Sequence, residues 1–497
     1  GVETLLLDIP AKDTQVGDSP AKRNAIVENN LKTLQKMRPA QLFSQASFDL
    51  IKVGNLEDDL HKTADADWVI EVVVERLDIK QSLMAKLAEI VKPDAIISSN
   101  TSGLPIHQIA EGLGSDFTRR FMGTHFFNPP RYLHLLEVIP HPDTDPEAIQ
   151  FMVDFGSRKL GKGVVICKDE PNFIGNRFMS MSGMQAMNYA LDHDYTVEEV
   201  DALTGPLIGR PKTATFNLND LVGFDIAVHV ARNLYPAIPN DPAREVLNHP
   251  KATQLSDEML NRKWLGRKTG QGFYHMRAGE GGAKELWALN LKTMEYEPPT
   301  KPRFDSVSAY RKVEPTGERI RLLINETDRG GQYLFHLHAF YLAYASNRVP
   351  EITETIVNVD NAQKWGFSHE MGPFEIWDAI GVAEFISRFE DAGYPVADWV
   401  KEMVGKGIAT FYQKNEVGKI IGYYSPQAGR YVSFVKDALE ITCVDLKADG
   451  KTLASNEDGN VYDMGDGVLL WEFTSKQNTI TAKFVEMGWQ ALDLLNK

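Results

Sequence analysis

Cysteine is nearly absent from this chain of 497 residues: Cys167 and Cys443 are the only two. So few thiols exclude a disulfide framework and suit a reducing compartment, so a cytoplasmic location is expected. No apolar run approaches the roughly 20 residues that a membrane-spanning helix needs, so no transmembrane segment is expected. Positive charge is also in deficit, with 53 Lys and Arg against 68 Asp and Glu, a net charge of -15. That balance argues against nucleic acid as the main partner. It leaves an anionic small substrate such as a nucleotide thioester open, because a few local basic residues suffice to hold one.

What is present is an ordinary globular composition, 43% hydrophobic and 24% charged. The length corresponds to roughly three domains at about 150 residues each. Residues 1–170 alternate short apolar runs with helical patterns. The runs are VETLLLD, ADWVIEVVVE, DAIISSN, RRFMGTHFF, HLLEVIP and GKGVVIC, and between them NAIVENNLKTLQKM and DIKQSLMAKLAEIV place apolar residues at helical spacing. Strands alternating with helices predict a mostly parallel, doubly wound α/β sheet. The opening GVETLLLD reads as a strand closed by an acid, which is what such a sheet presents to an adenosine ribose. The usual companion, a G-x-G-x-x-G loop about twenty residues upstream, falls before Gly1.

From about residue 171 the pattern turns helical, as in NRFMSMSGMQAMNYALDHD. A weak internal repeat follows. VDALTGPLIGRPKTATFNLNDLVGFD resembles VDNAQKWGFSHEMGPFEIWDAIGVAE, with Phe216/Phe374, Asp220/Asp378 and Gly223/Gly381 at nearly constant offset. Two copies of one helical module are the economical reading. GGAKELWALNLKTMEYEPPTKPRF, rich in turn residues and charges, reads as a connector. After about residue 435, ALEITCVDLKADGKTL, NVYDMGDGVLLWEF and a helix at QALDLL read as a new unit.

Four residues stand at the ends of successive elements, where an open α/β sheet binds ligands. They are Ser102 in SSNTSGLPI, His125 in GTHFFNPPR, Glu137 in LLEVIP and Asn176 in PNFIGNRF. Each has a plain alternative: a serine caps helices, a buried histidine is often merely hydrogen-bonded, and a glutamate is usually on the surface. Together they make one device. A histidine takes a hydroxyl proton near neutral pH, a glutamate fixes its tautomer, and serine and asparagine donate to an oxygen gaining carbonyl character. That device oxidises a secondary alcohol, given a cofactor for the hydride.

SSNTSGLPI, GTHFFNPPRYLHLLEVI, GKGVVICKDEPNFIGNR and KWLGRKTGQGFY together resemble the signatures of the L-3-hydroxyacyl-CoA dehydrogenase family, from Gly1 to about Met276 and more faintly in the second helical copy. The resemblance implies NAD as cofactor, an acyl-CoA thioester as substrate, and Ser102, His125, Glu137 and Asn176 as catalytic positions, with His125 the base and Glu137 its orienting partner. It sets Glu75 and Lys80 near the nicotinamide half of NAD, Asn100 among the cofactor-binding residues and Asp8 on the adenosine ribose. No arginine follows Asp8 directly, which favours NAD over its phosphorylated form. Lys32, Lys36 and Arg38 are candidates for coenzyme A phosphates or else part of a solvated helix face. No metal ligands are expected.

GVETLLLD then corresponds to the family's second strand, so the natural protein is expected to be longer at its N-terminus. MGDGVLLWEFTSKQNTITAKFVEMGWQALDLL resembles the opening of the enoyl-CoA hydratase (crotonase) family, which implies a bifunctional parent in fatty acid β-oxidation. The multifunctional members imply a thiolase partner or a homo-oligomer. The second helical copy has LLINETDRGG where Asn176-Arg177 open the first, and is read as structural.

The expected fold is thus an α/β Rossmann-type domain lacking its first strand and glycine loop, then two all-α modules and the start of a crotonase-like domain. The boundaries are 1–170 (NAD-binding), 171–280 (first helical domain), 281–305 (connector), 306–435 (second helical domain) and 436–497 (linker and crotonase-like start). The rival functions are a dehydrogenase of a free hydroxy acid and a non-catalytic subunit of a β-oxidation complex.

Overall fold

A computed structural model describes residues 1–279, 283–416, 418–434 and 440–495. The chain divides into two compact units, Gly1–Lys406 and Gly407–Lys497.

The first unit opens with strand β1 (Thr4–Asp8), paired in parallel with β2 (Ile51–Asn55), and the helix Ala25–Lys36 packs on both. A second sheet holds β3 (Trp68–Glu71), β4 (Ile96–Ser99), β5 (Phe121–Phe126), β6 (Leu135–Pro140) and β7 (Gly163–Ile166), side by side in that order. Its pairings are parallel except for β5 with β6. β4, β5 and β6 are covered on both faces, which is why they read as continuous apolar runs. β2 carries no such run. IKVGN keeps Lys52 exposed and buries only Gly54 and Asn55, so its sequence does not announce a strand. The run ADWVIEVVVE is strand only to Glu71, and Val72 and Val74 beyond it are exposed. β1 pairs only with β2 and β3 only with β4, so among the described residues no strand lies between the two sheets.

The helical part begins with Gly175–Asp192 and continues through Val197–Thr204, Phe216–Val222, Phe224–Ala237 and Pro250–Asn261. A three-stranded antiparallel sheet follows: β8 (Tyr274–Ala278), β9 (Lys284–Leu289) and β10 (Tyr296–Glu297). The stretch read as a connector therefore contains two strands, β9 and β10. Its turn residues flank KELWAL, whose inner residues pair with β8 instead of filling a loop. The second helical copy comprises Thr316–Leu323, Arg329–Arg348, Ile356–Phe367, Pro373–Ile380, Val382–Asp391 and Asp398–Gly405.

The two copies share their capping chemistry. Asp201 accepts the amides of Phe216 and Asn217, and Asp360 accepts those of Phe374 and Glu375. Each carboxylate thereby satisfies N–H groups at a helix start that have no intrahelical partner. Both of these helices stop at a glycine of positive φ, Gly223 at 107° and Gly381 at 105°.

Helix gives way to strand at the end of the first unit, well before residue 435. The second unit contains β11 (Tyr412–Lys414), β12 (Ile420–Ser425) and β13 (Arg430–Ser433) as one antiparallel sheet. β14 (Thr452–Ser455), β15 (Gly459–Gly465) and β16 (Val468–Phe473) form another, against which the helix Ala482–Leu495 packs. Among the described residues of the run ALEITCVDLKADGKTL, Cys443–Ala448 is helical and only the end is strand. Residues 280–282 and 435–439, where the connector was expected to begin and the second helical domain to end, lie outside the described residues. Among the described residues no helix is long and apolar enough to cross a membrane.

Candidate active site

The antiparallel register of β5 and β6 sets His125 directly opposite Glu137. Residues so paired project to the same face, within side-chain reach. The His125 Nδ1 lies 2.7 Å from Glu137 Oε2, and the two residues are 4% and 0% exposed. The other carboxylate oxygen, Oε1, accepts the amides of Ile174 at 3.1 Å and Gly175 at 2.7 Å, at the start of the long helix Gly175–Asp192. A helix N-terminus favours an anion there. Burial, then the nearby Glu137 charge, push the Cys167 thiol well above its ordinary value, so this side chain stays protonated beside the carboxylate. With Nδ1 donating to Glu137, Nε2 carries the lone pair and is the atom that can accept a proton. Phe127 and Phe173 flank the imidazole, with ring centroids 4.6 and 5.7 Å away.

A second cluster gathers at the carboxyl ends of β3 and β4. Glu75 Oε1 accepts the Thr101 hydroxyl at 2.5 Å and the Ser102 amide at 3.0 Å. Burial raises the Glu75 value, but the Thr101 hydroxyl, the Lys80 charge and the Ser102 amide outweigh it and hold the carboxyl below its usual range. The Ser102 side chain is exposed. Asn100 spends its side-chain carbonyl on the Phe126 amide, 2.9 Å away, tying this loop to the residue next to His125.

Lys80 sits differently from the cofactor contact expected of it. It is 1% exposed, and its ammonium is 2.8 and 3.0 Å from the two Glu71 oxygens, 3.3 Å from Glu75 and 3.3 Å from the Val73 carbonyl. Four acceptors around three N–H donors leave none for a ligand. The lysine instead steadies Glu75, whose side chain remains 46% exposed. Glu71 escaped sequence reading. A buried lysine demands an acid, but the burial of Lys80 is visible only in the folded chain.

Asn176 occupies the second position of the Gly175–Asp192 helix and is half-buried. Its neighbour Arg177, also unmarked in the sequence, is fully buried and holds Tyr344 Oη at 2.7 Å and Asp241 at 2.9 Å. Arg348 completes this network through Asp241 and Glu351. A Cβ on Gly103 would come within 2.5 Å of the Asn172 side-chain oxygen, so the Ser102 loop abuts the turn that leads into this helix. Ser102, His125, Glu137 and Asn176 thus belong to one connected region. Asp8 stands apart on the two-stranded sheet, accepting the Ile9 amide at 2.7 Å and the Asn30 amide group at 3.2 Å. Lys32, Lys36 and Arg38 are all exposed.

A dinucleotide fits this arrangement. Asp8 closes the parallel strand β1, and Glu75, Asn100 and Ser102 follow the carboxyl ends of β3 and β4, the end of the strands at which an open α/β sheet binds its ligand. Among the described residues no group of three or more His, Cys, Asp or Glu is placed to hold a metal ion.

Comparison with known proteins identifies the family of this chain. Residues 1–170 match the sequence family described as 3-hydroxyacyl-CoA dehydrogenase, NAD binding domain, and residues 173–276 match its C-terminal domain. A Bacillus subtilis protein named "Probable 3-hydroxyacyl-CoA dehydrogenase" is 40% identical over 99% of this chain, which spans 62% of that relative's length. A Deinococcus radiodurans protein of the same name is 44% identical over 55% of this chain and 76% of its own length. In structure, the 3-hydroxybutyryl-CoA dehydrogenase of Escherichia coli K12 superposes with a TM-score of 0.57 over 82% of this chain and 94% of that one. Its 20% identity speaks for the fold alone.

Proposed function

Because the chain belongs to the 3-hydroxyacyl-CoA dehydrogenase family, whose members are NAD-dependent oxidoreductases, we propose that it oxidises an L-3-hydroxyacyl-CoA to the 3-oxoacyl-CoA. The observation that carries this reading is the buried His125–Glu137 pair, 2.7 Å apart and backed by two helix amides. His125 Nε2 takes the proton of the substrate's 3-hydroxyl, and Glu137 stabilises the imidazolium that forms. General base catalysis of this kind contributes about 10²–10⁴-fold. Ser102 and Asn176 donate to the same oxygen as it becomes a carbonyl. NAD, when bound, accepts the hydride from C3. Asp8 holds its adenosine ribose, and Glu75, with Asn100 near it, faces the nicotinamide half. Lys32, Lys36 and Arg38, exposed at the surface, are the candidates for coenzyme A phosphates.

The remaining assignments follow the same reading. The second helical copy is structural in the sense that it carries no active site of its own. Two antiparallel strands followed by the helix Ala482–Leu495 are compatible with the beginning of a crotonase-like domain. A bifunctional β-oxidation protein that assembles with a thiolase or with itself is then the parent.

The test is NAD-dependent oxidation of a medium-chain L-3-hydroxyacyl-CoA, run beside the matching free hydroxy acid and with His125→Gln as control. Turnover of the thioester alone, lost in the variant, supports the proposal. Preference for the free acid would move the reading to a hydroxy acid dehydrogenase. No turnover of either would favour a non-catalytic subunit.

A further inference from the structure

The second helical copy reaches the catalytic histidine. The helix Ile356–Phe367 packs on β6, the strand that carries Glu137, and on the neighbouring β7. Trp365 lies over Gly163 so closely that a Cβ there would overlap its ring, and it meets His134 edge-on at 5.2 Å. The preceding segment is bound to the end of β7: the Lys168 amide donates to the Ile352 carbonyl at 2.8 Å, and Thr353 Oγ1 to the Ile166 carbonyl at 2.9 Å. Ser368, in the left-handed region at φ 55°, ends the helix and fixes where Phe367 points.

That point is Phe127. The Phe367 ring meets the Phe127 ring edge-on, with centroids 5.5 Å apart and planes at 80°. Phe127 in turn lies 4.6 Å from the imidazole of His125. It cannot retreat. On one side a Cβ at Gly175 would stand 2.7 Å from Phe127 Cζ, and on another a Cβ at Gly366 would stand 3.5 Å from its Cε1. The ring is clamped between the start of the first copy's long helix and the end of this helix of the second copy.

We propose that Phe367 is a positioning residue for the reaction, holding the plane of the His125 imidazole through Phe127. This inference rests on the dehydrogenase reading above. Its physical basis is that the Glu137 carboxylate fixes only the direction of Nδ1. A single hydrogen bond leaves the ring free to rock about that axis, and rocking moves Nε2 away from the substrate hydroxyl. Aromatic faces and edges on both sides remove that freedom. Misplacing a reacting atom by about 1 Å costs up to roughly 10²-fold in rate, so a ring remote from substrate can matter to turnover. The second copy, without an Asn-Arg pair of its own, thereby serves the site of the first.

The experiment uses the full chain with Phe367→Ala, Phe367→Tyr, Phe127→Leu, the double variant Phe127→Leu/Phe367→Ala, and Phe389→Leu. Phe389 is equally part of the second copy, fully buried, and its recorded ring neighbours are all in that copy. The expected result for Phe367→Ala is a kcat lower by roughly 10-fold or more, with KM for both substrates within about two-fold of wild type. Phe367→Tyr, which keeps the ring, restores kcat, and Phe389→Leu lowers the melting temperature but leaves kcat in place. In the double variant, Phe367→Ala adds less than about two-fold to Phe127→Leu, because both act through one ring. Imidazole NMR, with the His125 signal identified by its loss in His125→Gln, should show that signal moving in Phe367→Ala and not in Phe389→Leu. Wild-type kcat in Phe367→Ala, independent effects in the double variant, or an unmoved His125 signal would overturn the proposal. If the wild-type chain binds NAD but shows no turnover, the dehydrogenase reading fails, and the NMR comparison still decides whether Phe367 controls the His125 ring.

Discussion

His125 and Glu137 face each other across the one antiparallel pairing in the five-stranded sheet, with Nδ1 and Oε2 2.7 Å apart. Had β6 run parallel to β5, the apolar strand LLEVIP would bury its acid without this partner. The reversal of one strand is what turns two buried polar residues into a pair, and it sets different expectations for removing each.

His125→Gln is expected to cost turnover by about 10²–10⁴-fold with little loss of stability. Glu137→Ala should cost both. It strands the imidazole N–H and the amides of Ile174 and Gly175, and each unsatisfied buried donor costs about 1–3 kcal/mol. Steady-state rates paired with urea unfolding separate the two. Equal stability losses would contradict the geometry.

Lys80→Met leaves the Glu71 carboxylate buried without its counter-charge. Breaking a buried pair from one side typically costs about 3–5 kcal/mol. Glu71 also accepts the Val73 amide at 2.6 Å on Oε1 and the Ser99 hydroxyl at 2.5 Å on Oε2; a glutamine keeps the first on its carbonyl oxygen and can donate to the Ser99 oxygen with its amide group. The double variant Lys80→Met/Glu71→Gln should therefore regain much of the loss in urea denaturation. Simple additivity of the two single variants would show that the pair is not coupled.

Asp201 gives a pH dependence of stability with a definite sign. Burial raises its carboxyl from 3.8 to about 6, against the amides of Phe216, Asn217 and Thr215 and the Tyr274 hydroxyl, which lower it. The folded chain thus holds this proton more tightly than the unfolded chain. The contribution is fully present below about pH 4 and is lost as pH rises through about 6. Relative to Asp201→Asn, wild type should lose stability over that window in parallel urea titrations. A gain with rising pH would refute it.

Gly381→Ala isolates backbone conformation. At φ 105° the residue sits where side chains are strained, yet a Cβ there would meet nothing closer than 3.6 Å. The expected cost is about 1–3 kcal/mol. Gly223→Ala, at φ 107° with the Lys268 ammonium at 2.7 Å and the Asp225 carboxylate at 3.0 Å, should cost at least a similar amount by thermal unfolding. A neutral Gly381→Ala would mean that this helix end can re-form another way.

Much of the scaffold was readable because strands buried on both faces must be apolar along their whole length, as in DAIISSN and HLLEVIP. The chemistry was readable for the opposite reason: His125 and Glu137 are polar residues set within such runs, and burial there demands a partner. The repeat showed itself in residues that end helices, since Gly223 and Gly381 answer to local backbone geometry. β2 hid because only part of it is covered, and 284–297 hid because its strands lie among turn residues and charges.

The sequence by itself determined where the chain is strand or helix along its strongest runs, and which side chains could do chemistry, because both depend on residue type and local spacing. Tertiary structure alone decided that β6 runs against β5, that Lys80 turns inward to Glu71, that Arg177 closes on Tyr344, and that Phe367 stands behind Phe127. Those contacts join residues between 9 and 240 positions apart in the chain. No local pattern records them, because packing selects such partners by shape and by the need to satisfy each buried charge.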